Sequence, residues 1–173
     1  ERFVSLVFRP PRGVALQPLC LDIDLRTETK LEHDVLLSVE LIRQLDLGQN
    51  CVFVQKQNGY WKEYKKPARK LYCTGCHIYV TEKMYTLEEA MAIRERAVAL
   101  ISTVFKDIPY VSPNPKKNAE GEVVDRKLPA RSNGLMLAGS FKMKQTGGQY
   151  NVKGLLTAEG KYETNTAVNE SAF

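Results

Sequence analysis

Leu19-Cys20-Leu21-Asp22-Ile23-Asp24-Leu25 decides how this chain folds. Leu19, Leu21, Ile23 and Leu25 fall on one side of an extended backbone, and Cys20, Asp22 and Asp24 on the other. A period of two over seven residues predicts a strand with one face in a core and the other bearing acids. The two carboxylates, at i and i+2, leave the same face with Cα atoms roughly 6–7 Å apart. That spacing lets both reach one hard cation, or bridge a pair of them. The plain alternative is the polar outer face of an edge strand.

Working outward, Phe3–Phe8 alternates weakly as a strand and Pro10-Pro11 ends it. Downstream, Ser38 is placed to cap a helix over Val39–Leu47, with Gly48 at its C-terminal end. Cys51–Gln57 and Tyr60–Lys65 flank Asn58-Gly59, which predicts a two-residue hairpin. Leu71–Val80 reads as a further strand. Thr86-Leu87-Glu88-Glu89 is a capping box. The helix after it sets Ala90, Ile93, Ala97, Ile101, Val104 and Phe105 on one face before Pro109 stops it. Residues 109–131 hold four prolines and several charges and predict a mobile, exposed connection. Leu135–Gln145 and Gln149–Leu156 flank Gly147-Gly148 as a second hairpin, with Lys142 opposite Lys153. From Ala158 the chain is polar and aperiodic. The order predicts an α+β fold, a mixed, mostly antiparallel sheet flanked by helices. Residues 1–157 then form one domain of two small lobes sharing a cleft, and 158–173 a tail or linker to a downstream region.

The chain has 173 residues, 43% apolar and 26% charged, close to the globular average, which excludes wholesale disorder and fibrous repeats. No apolar run is long enough to cross a bilayer, so no membrane partner is expected. The start Glu1-Arg2-Phe3 lacks both an initiator Met and a signal-peptide core, and reads as a piece of a longer intracellular protein or a processed product. Four scattered cysteines point to a reducing compartment. The formal net charge of +5 lies in residues 56–70, where Lys56, Lys62, Lys65, Lys66, Arg69 and Lys70 face Glu63 alone. Tyr60, Trp61 and Tyr64 are interleaved there, which suits phosphate neutralisation with base stacking. A solvated hairpin with its aromatics on a core edge would look the same.

Cys73-Thr74-Gly75-Cys76-His77 admits several readings. The CxxCH string matches covalent haem attachment, and its thiols could start a zinc site, for which only Cys20, Cys51 and His33 remain as partners. His77 could equally be a satisfied core residue. With two histidines in the chain, triad catalysis has few possible geometries, and no GxxxxGK phosphate loop occurs. Further on, Val123-Val124-Asp125 precedes Arg131 and the segment Gly139-Ser140-Phe141-Lys142, one more acid followed by two cations.

Taken in order, LDID, TGCHIYV and VVD followed by R-SNGLMLAGSFK resemble the catalytic domain of the archaeo-eukaryotic primase superfamily. The flavour is that of the primase-helicases of large DNA viruses, and the resemblance runs from about residue 17 to residue 145. It implies a primase-like (RRM-like) sheet in which Asp22, Asp24 and Asp125 are catalytic and bind two divalent cations, Mg²⁺ or Mn²⁺. It also implies that His77 and Lys142 contact the triphosphate of an NTP or dNTP, with Arg131 near the nucleotide. Gly75 stands where the family usually has Ser, its backbone N–H or Thr74 serving instead, and Met136 stands where an Arg is common. A template-dependent nucleotidyltransferase acting on single-stranded DNA in replication is the expected function. A helicase module in the same polypeptide and, for a viral protein, a location at replication sites in the host cell are expected with it. The basic hairpin would hold the template through Tyr60, Trp61, Lys62, Lys65 and Lys66, an assignment that rests on composition alone. The rivals are a decayed relative that only binds single-stranded DNA, and a zinc-binding interaction domain built on Cys73 and Cys76.

Overall fold

The computed structural model describes residues 7–8, 15–32, 34–56, 59–65, 68–111, 121, 123–125, 135–136 and 149–165. Its frame is a six-stranded sheet of β2 (Gln17–Thr27), β3 (Cys51–Lys56), β4 (Tyr60–Lys65), β5 (Ala68–Tyr85), β7 (Tyr150–Leu156) and β8 (Tyr162–Thr164). Two helices pack on it, α1 (Asp34–Leu45) and α2 (Leu87–Val104), and β1 (Val7–Phe8) pairs with β6 (Leu135–Met136) as a separate two-stranded sheet. Every strand pairing is antiparallel, so the fold is the α+β arrangement that the element order predicts.

The apolar face of β2 does what its alternation requires. Leu19, Leu21, Ile23 and Leu25 are at most 1% exposed, each contributing roughly 1.5–3 kcal/mol of burial. They pack with Val39, Leu41, Ile42 and Leu45 of α1 and Ala90, Ile93, Ala97 and Ile101 of α2 in one core. The Thr86 capping box forms in full, with Glu89 N–H donating to the Thr86 hydroxyl and Thr86 N–H to the Glu89 carboxylate. α1 begins five residues earlier than expected. Asp34, not Ser38, serves its N-terminus, accepting from the Val35 N–H at 3.0 Å, while Ser38 is buried inside the helix.

Three expected connections differ. β3 and β4 do not pair across Asn58-Gly59; they run end to end along one edge of the 18-residue β5. Cys51 lies opposite Val80 and Val54 opposite His77, then Tyr60 opposite Cys73 and Lys65 opposite Ala68, so the partner of β4 is β5 and not β3. A second difference is at β7, which pairs with β3 and β8; the strand segment Leu135–Met136 pairs with β1. The expected Lys142–Lys153 pairing and the rest of 137–145 lie outside the described residues. Third, Tyr162–Thr164 pair with β7 as a strand of the sheet where a tail is expected, and Tyr162 lays its ring edge-on against Phe53 at 5.7 Å.

Parts of 109–131 are also packed. Tyr110 bridges Thr27, Val111 N–H donates to Arg26 O at 2.7 Å, and buried Val124 bridges Ile23 on the outer edge of β2. No helix among the described residues is long and apolar enough to cross a membrane.

Candidate active site

Register between β2 and β5 builds the site. Asp22 lies opposite His77, Asp24 opposite Gly75 and Arg26 opposite Cys73, so three rungs put these side chains on the face away from the core. They line a pocket of about 240 Å³ with Tyr60, Lys62 and Tyr64 of β4, Thr74 of β5 and Tyr150 of β7.

His77 is buried, with Nε2 3.5 Å from the Asp22 carboxylate and its ring stacked on Tyr150 at 4.8 Å and 21°. It is therefore neither a core residue nor a loose surface group: the stack and the carboxylate fix its plane toward the pocket. Burial, with Asp22 and Asp24 adding to it, pushes the Tyr150 hydroxyl up to about 12. Asp24 is half exposed at the pocket mouth, with Arg26 3.9 Å away. Burial and the adjacent Cys73 push the Tyr64 hydroxyl up to about 12 as well.

Gly75 has a steric reason. A Cβ there would collide with the Ile23 carbonyl oxygen and crowd the Asp24 Cα, so β5 approaches the acid-bearing strand only because position 75 has no side chain. Behind it, Thr74 donates its hydroxyl proton to the Asp34 carboxylate, which also accepts from Gln55. Of the two expected stand-ins for the missing Ser, Thr74 has its proton committed to α1.

Asp125 is brought to the acids by backbone. Its N–H donates to Asp22 O at 3.0 Å beside the Val124–Ile23 bridge. Buried Arg94 of α2 grips the same segment, donating to Val124 O at 2.8 and 3.1 Å and to Gly121 O at 2.7 Å. Asp125 is not among the residues lining the pocket, and no three His, Cys, Asp or Glu side chains among the described residues are gathered to hold a metal ion. The oxygen donors suit a hard cation in chemistry and backbone placement. The carboxylates do not already surround one point.

The basic segment divides by alternation. Tyr60 and Lys62 enter the pocket; Trp61 is on the opposite face, edge-on to Tyr72 at 5.4 Å with the Lys70 ammonium 5.7 Å over its ring. Lys65 is exposed at the end of β4, and Lys66, Arg131 and Lys142 lie outside the described residues. Cys73 and Cys76, three apart on one strand, sit on opposite faces, one lining the pocket and the other in the core. That removes the zinc and haem readings, which need both thiols on one side. All four cysteines are buried and free.

Sequence reasoning missed Arg26, Tyr150, Asp34 and Arg94, and named Tyr64 only as an aromatic suited to base stacking. Arg26 and Tyr64 simply continue the alternations Asp22-Asp24 and Tyr60-Lys62, a signal that was available. Tyr150 depends on β7 pairing with β3, which no local pattern announces.

An antiparallel sheet that offers two acids on one strand and a His on the rung opposite, with a third acid hydrogen-bonded alongside, has the layout of an archaeo-eukaryotic primase-type domain. The family model for the C962R protein N-terminal AEP (archaeo-eukaryotic primase) domain matches residues 9–156. The chain belongs to that family, whose class is generally that of primases and nucleotidyltransferases. No curated protein matches the chain significantly.

Proposed function

We propose that this domain is a template-dependent primase-type nucleotidyltransferase acting on single-stranded DNA. The observation that carries the reading is the rung order on β2 and β5, which puts Asp22 against His77 and Asp24 against Gly75 in one pocket. Asp22 and Asp24, with Asp125 as the third acid, would hold Mg²⁺ or Mn²⁺. Bound there, two such cations lower the pKa of an attacking 3′-hydroxyl and stabilise a leaving pyrophosphate.

The chain's own groups supply the rest. His77, held in plane by Tyr150, meets phosphate oxygens by a charge-assisted hydrogen bond, and Lys142 and Arg131 add cations from the segment after Asp125. Gly75 keeps the floor of the pocket low. The outer face of the β4–β5 ribbon, where Trp61 and Lys70 lie, offers an aromatic ring and a cation to the template, and a helicase module in the same polypeptide would deliver that strand.

Incorporation of NTPs or dNTPs on a single-stranded template with Mg²⁺ or Mn²⁺ tests the reading. Asp22→Asn and Asp24→Asn are expected to lower incorporation by at least about a hundredfold. Equal activity in wild type and both variants refutes it. The ungathered carboxylates favour a second reading, a catalytically decayed single-stranded DNA-binding module. It predicts salt-sensitive DNA binding that survives both substitutions, with no synthesis by the wild type.

A further inference from the structure

The pocket has two ends of different character. Along β2 and β5 the rungs run from Asp22–His77 through Asp24–Gly75 to Arg26–Cys73. Four residues of strand separate Asp22 from Arg26, about 13 Å at their Cα atoms. At the far end the Arg26 guanidinium donates to the Tyr64 hydroxyl and lies 3.9 Å from Asp24. Lys62 joins it from β4, with its ammonium 5.2 Å over the Tyr64 ring, and Tyr60 lies on the rung beside Cys73. Two cations and two phenols thus surround one end of a pocket whose centre is acidic.

An in-line displacement requires the attacking oxygen and the leaving group on opposite sides of the phosphorus. With the pyrophosphate of the incoming triphosphate against His77 and its α-phosphorus at the acids, the end left for the attacking oxygen is that of Arg26. We infer that Arg26 and Lys62, with Tyr60 and Tyr64, form a subsite for the 3′-terminal nucleotide of the growing strand, binding its phosphate through the two cations and its sugar and base against the phenol rings. Arg26 supplies a planar donor pair matched to a phosphate, and its contacts to Asp24 and Tyr64 hold it ready. Template contact is left to the outer face of the ribbon, where Trp61 and Lys70 lie. The inference rests on the nucleotidyltransferase reading for the direction of attack, but its binding test does not depend on catalysis.

Three ligands separate the possibilities on the 173-residue chain, each followed by fluorescence anisotropy: a labelled trinucleotide with a free 3′-hydroxyl, a labelled circular single-stranded DNA without ends, and a labelled nucleoside triphosphate with Mn²⁺. Arg26→Gln and Lys62→Gln are each expected to raise the Kd of the trinucleotide about tenfold. Each should also flatten its salt dependence by about 0.7 in log–log slope. The Kd values of the circle and the triphosphate should stay within about twofold. An equal loss on the circle would make these residues part of a general basic surface and overturn the subsite. A larger loss on the triphosphate would assign them to the incoming nucleotide, and no loss on the trinucleotide would leave them without a ligand; either result overturns it. Lys62 is exposed, so its substitution spares the core, and Arg26→Lys, which keeps the charge but loses the planar donor pair, is expected to recover only part of the trinucleotide affinity. Wild-type protein that binds the trinucleotide as described but synthesises nothing would refute the polymerising reading and leave the subsite standing.

Discussion

At position 75 one carbon atom decides the distance between the strand that bears the acids and the strand that bears the histidine. A Cβ there meets the Ile23 carbonyl oxygen, which is backbone and has no rotamer to change. The resemblance to the primase family would suggest that Ser at this position improves the site; the packing says the reverse. Gly75→Ser is expected to destabilise the fold by about 1–3 kcal/mol, the usual penalty for overpacking, and to weaken nucleotide binding because the Asp24–Gly75 rung must open. A denaturant midpoint that falls at constant m-value would bear this out, whereas a variant as stable as wild type with tighter nucleotide binding would show that the strands already have room. His77 makes a related point. Its orientation comes from Tyr150 and Asp22, which lie on two other strands, so no residue near it in sequence reveals that it faces a pocket.

Elements were legible wherever the deciding contacts are local. The period of β2, the capping box of α2 and the apolar stripe of that helix are each set by residues within a few positions, and all three form as their patterns require. Asn58-Gly59 misled because turn chemistry speaks only for nearest neighbours. An 18-residue β5 offers one edge long enough for β3 and β4 in succession, and that edge outcompetes a tight turn between them. β8 escaped notice because a three-residue strand is too short to show alternation, and its pairing with β7 is not announced by its own sequence. The segment that carries Asp125 escaped for another reason: it is held by Arg94, and a single Arg on a helix reads as surface charge. Arg94→Met keeps helix propensity and apolar volume while removing three donors from two carbonyls. The expected result is a loss of about 2–4 kcal/mol and much faster amide exchange at Asp125, whose N–H pairs with Asp22 O. Unchanged protection of that amide would show that the Val124–Ile23 bridge alone holds the acid in place.

Over the whole molecule, the sheet buries titratable groups on both faces, Cys51 and Cys76 in the core under the helices and Tyr64 and Tyr150 beside the carboxylates. Removing those protons is costlier in the folded chain than in the unfolded one. Burial pushes Cys20 and Cys51 from 9.0 up to about 12, and burial with neighbouring groups pushes Tyr64 and Tyr150 from 10.0 up to about 12. Cys76 and Tyr79 move in the same direction, again chiefly through burial. The sign follows from proton binding: between about pH 9 and 12 the unfolded chain has released protons that the fold retains, so unfolding is increasingly favoured as pH rises. The contribution is fully present below about pH 9 and disappears as pH passes through the folded values near 12. Urea midpoints should therefore stay level from neutral pH to about 8.5 and then fall steadily, the thiols acting first because their unfolded pKa is lower. Replacing Cys20 and Cys51 by Ala should flatten the lower part of that decline, and Tyr150→Phe the upper part. A midpoint that holds level to pH 11 in the wild type would mean that these groups titrate in the fold as they do in the open chain, and that their surroundings are wetter than the packing indicates.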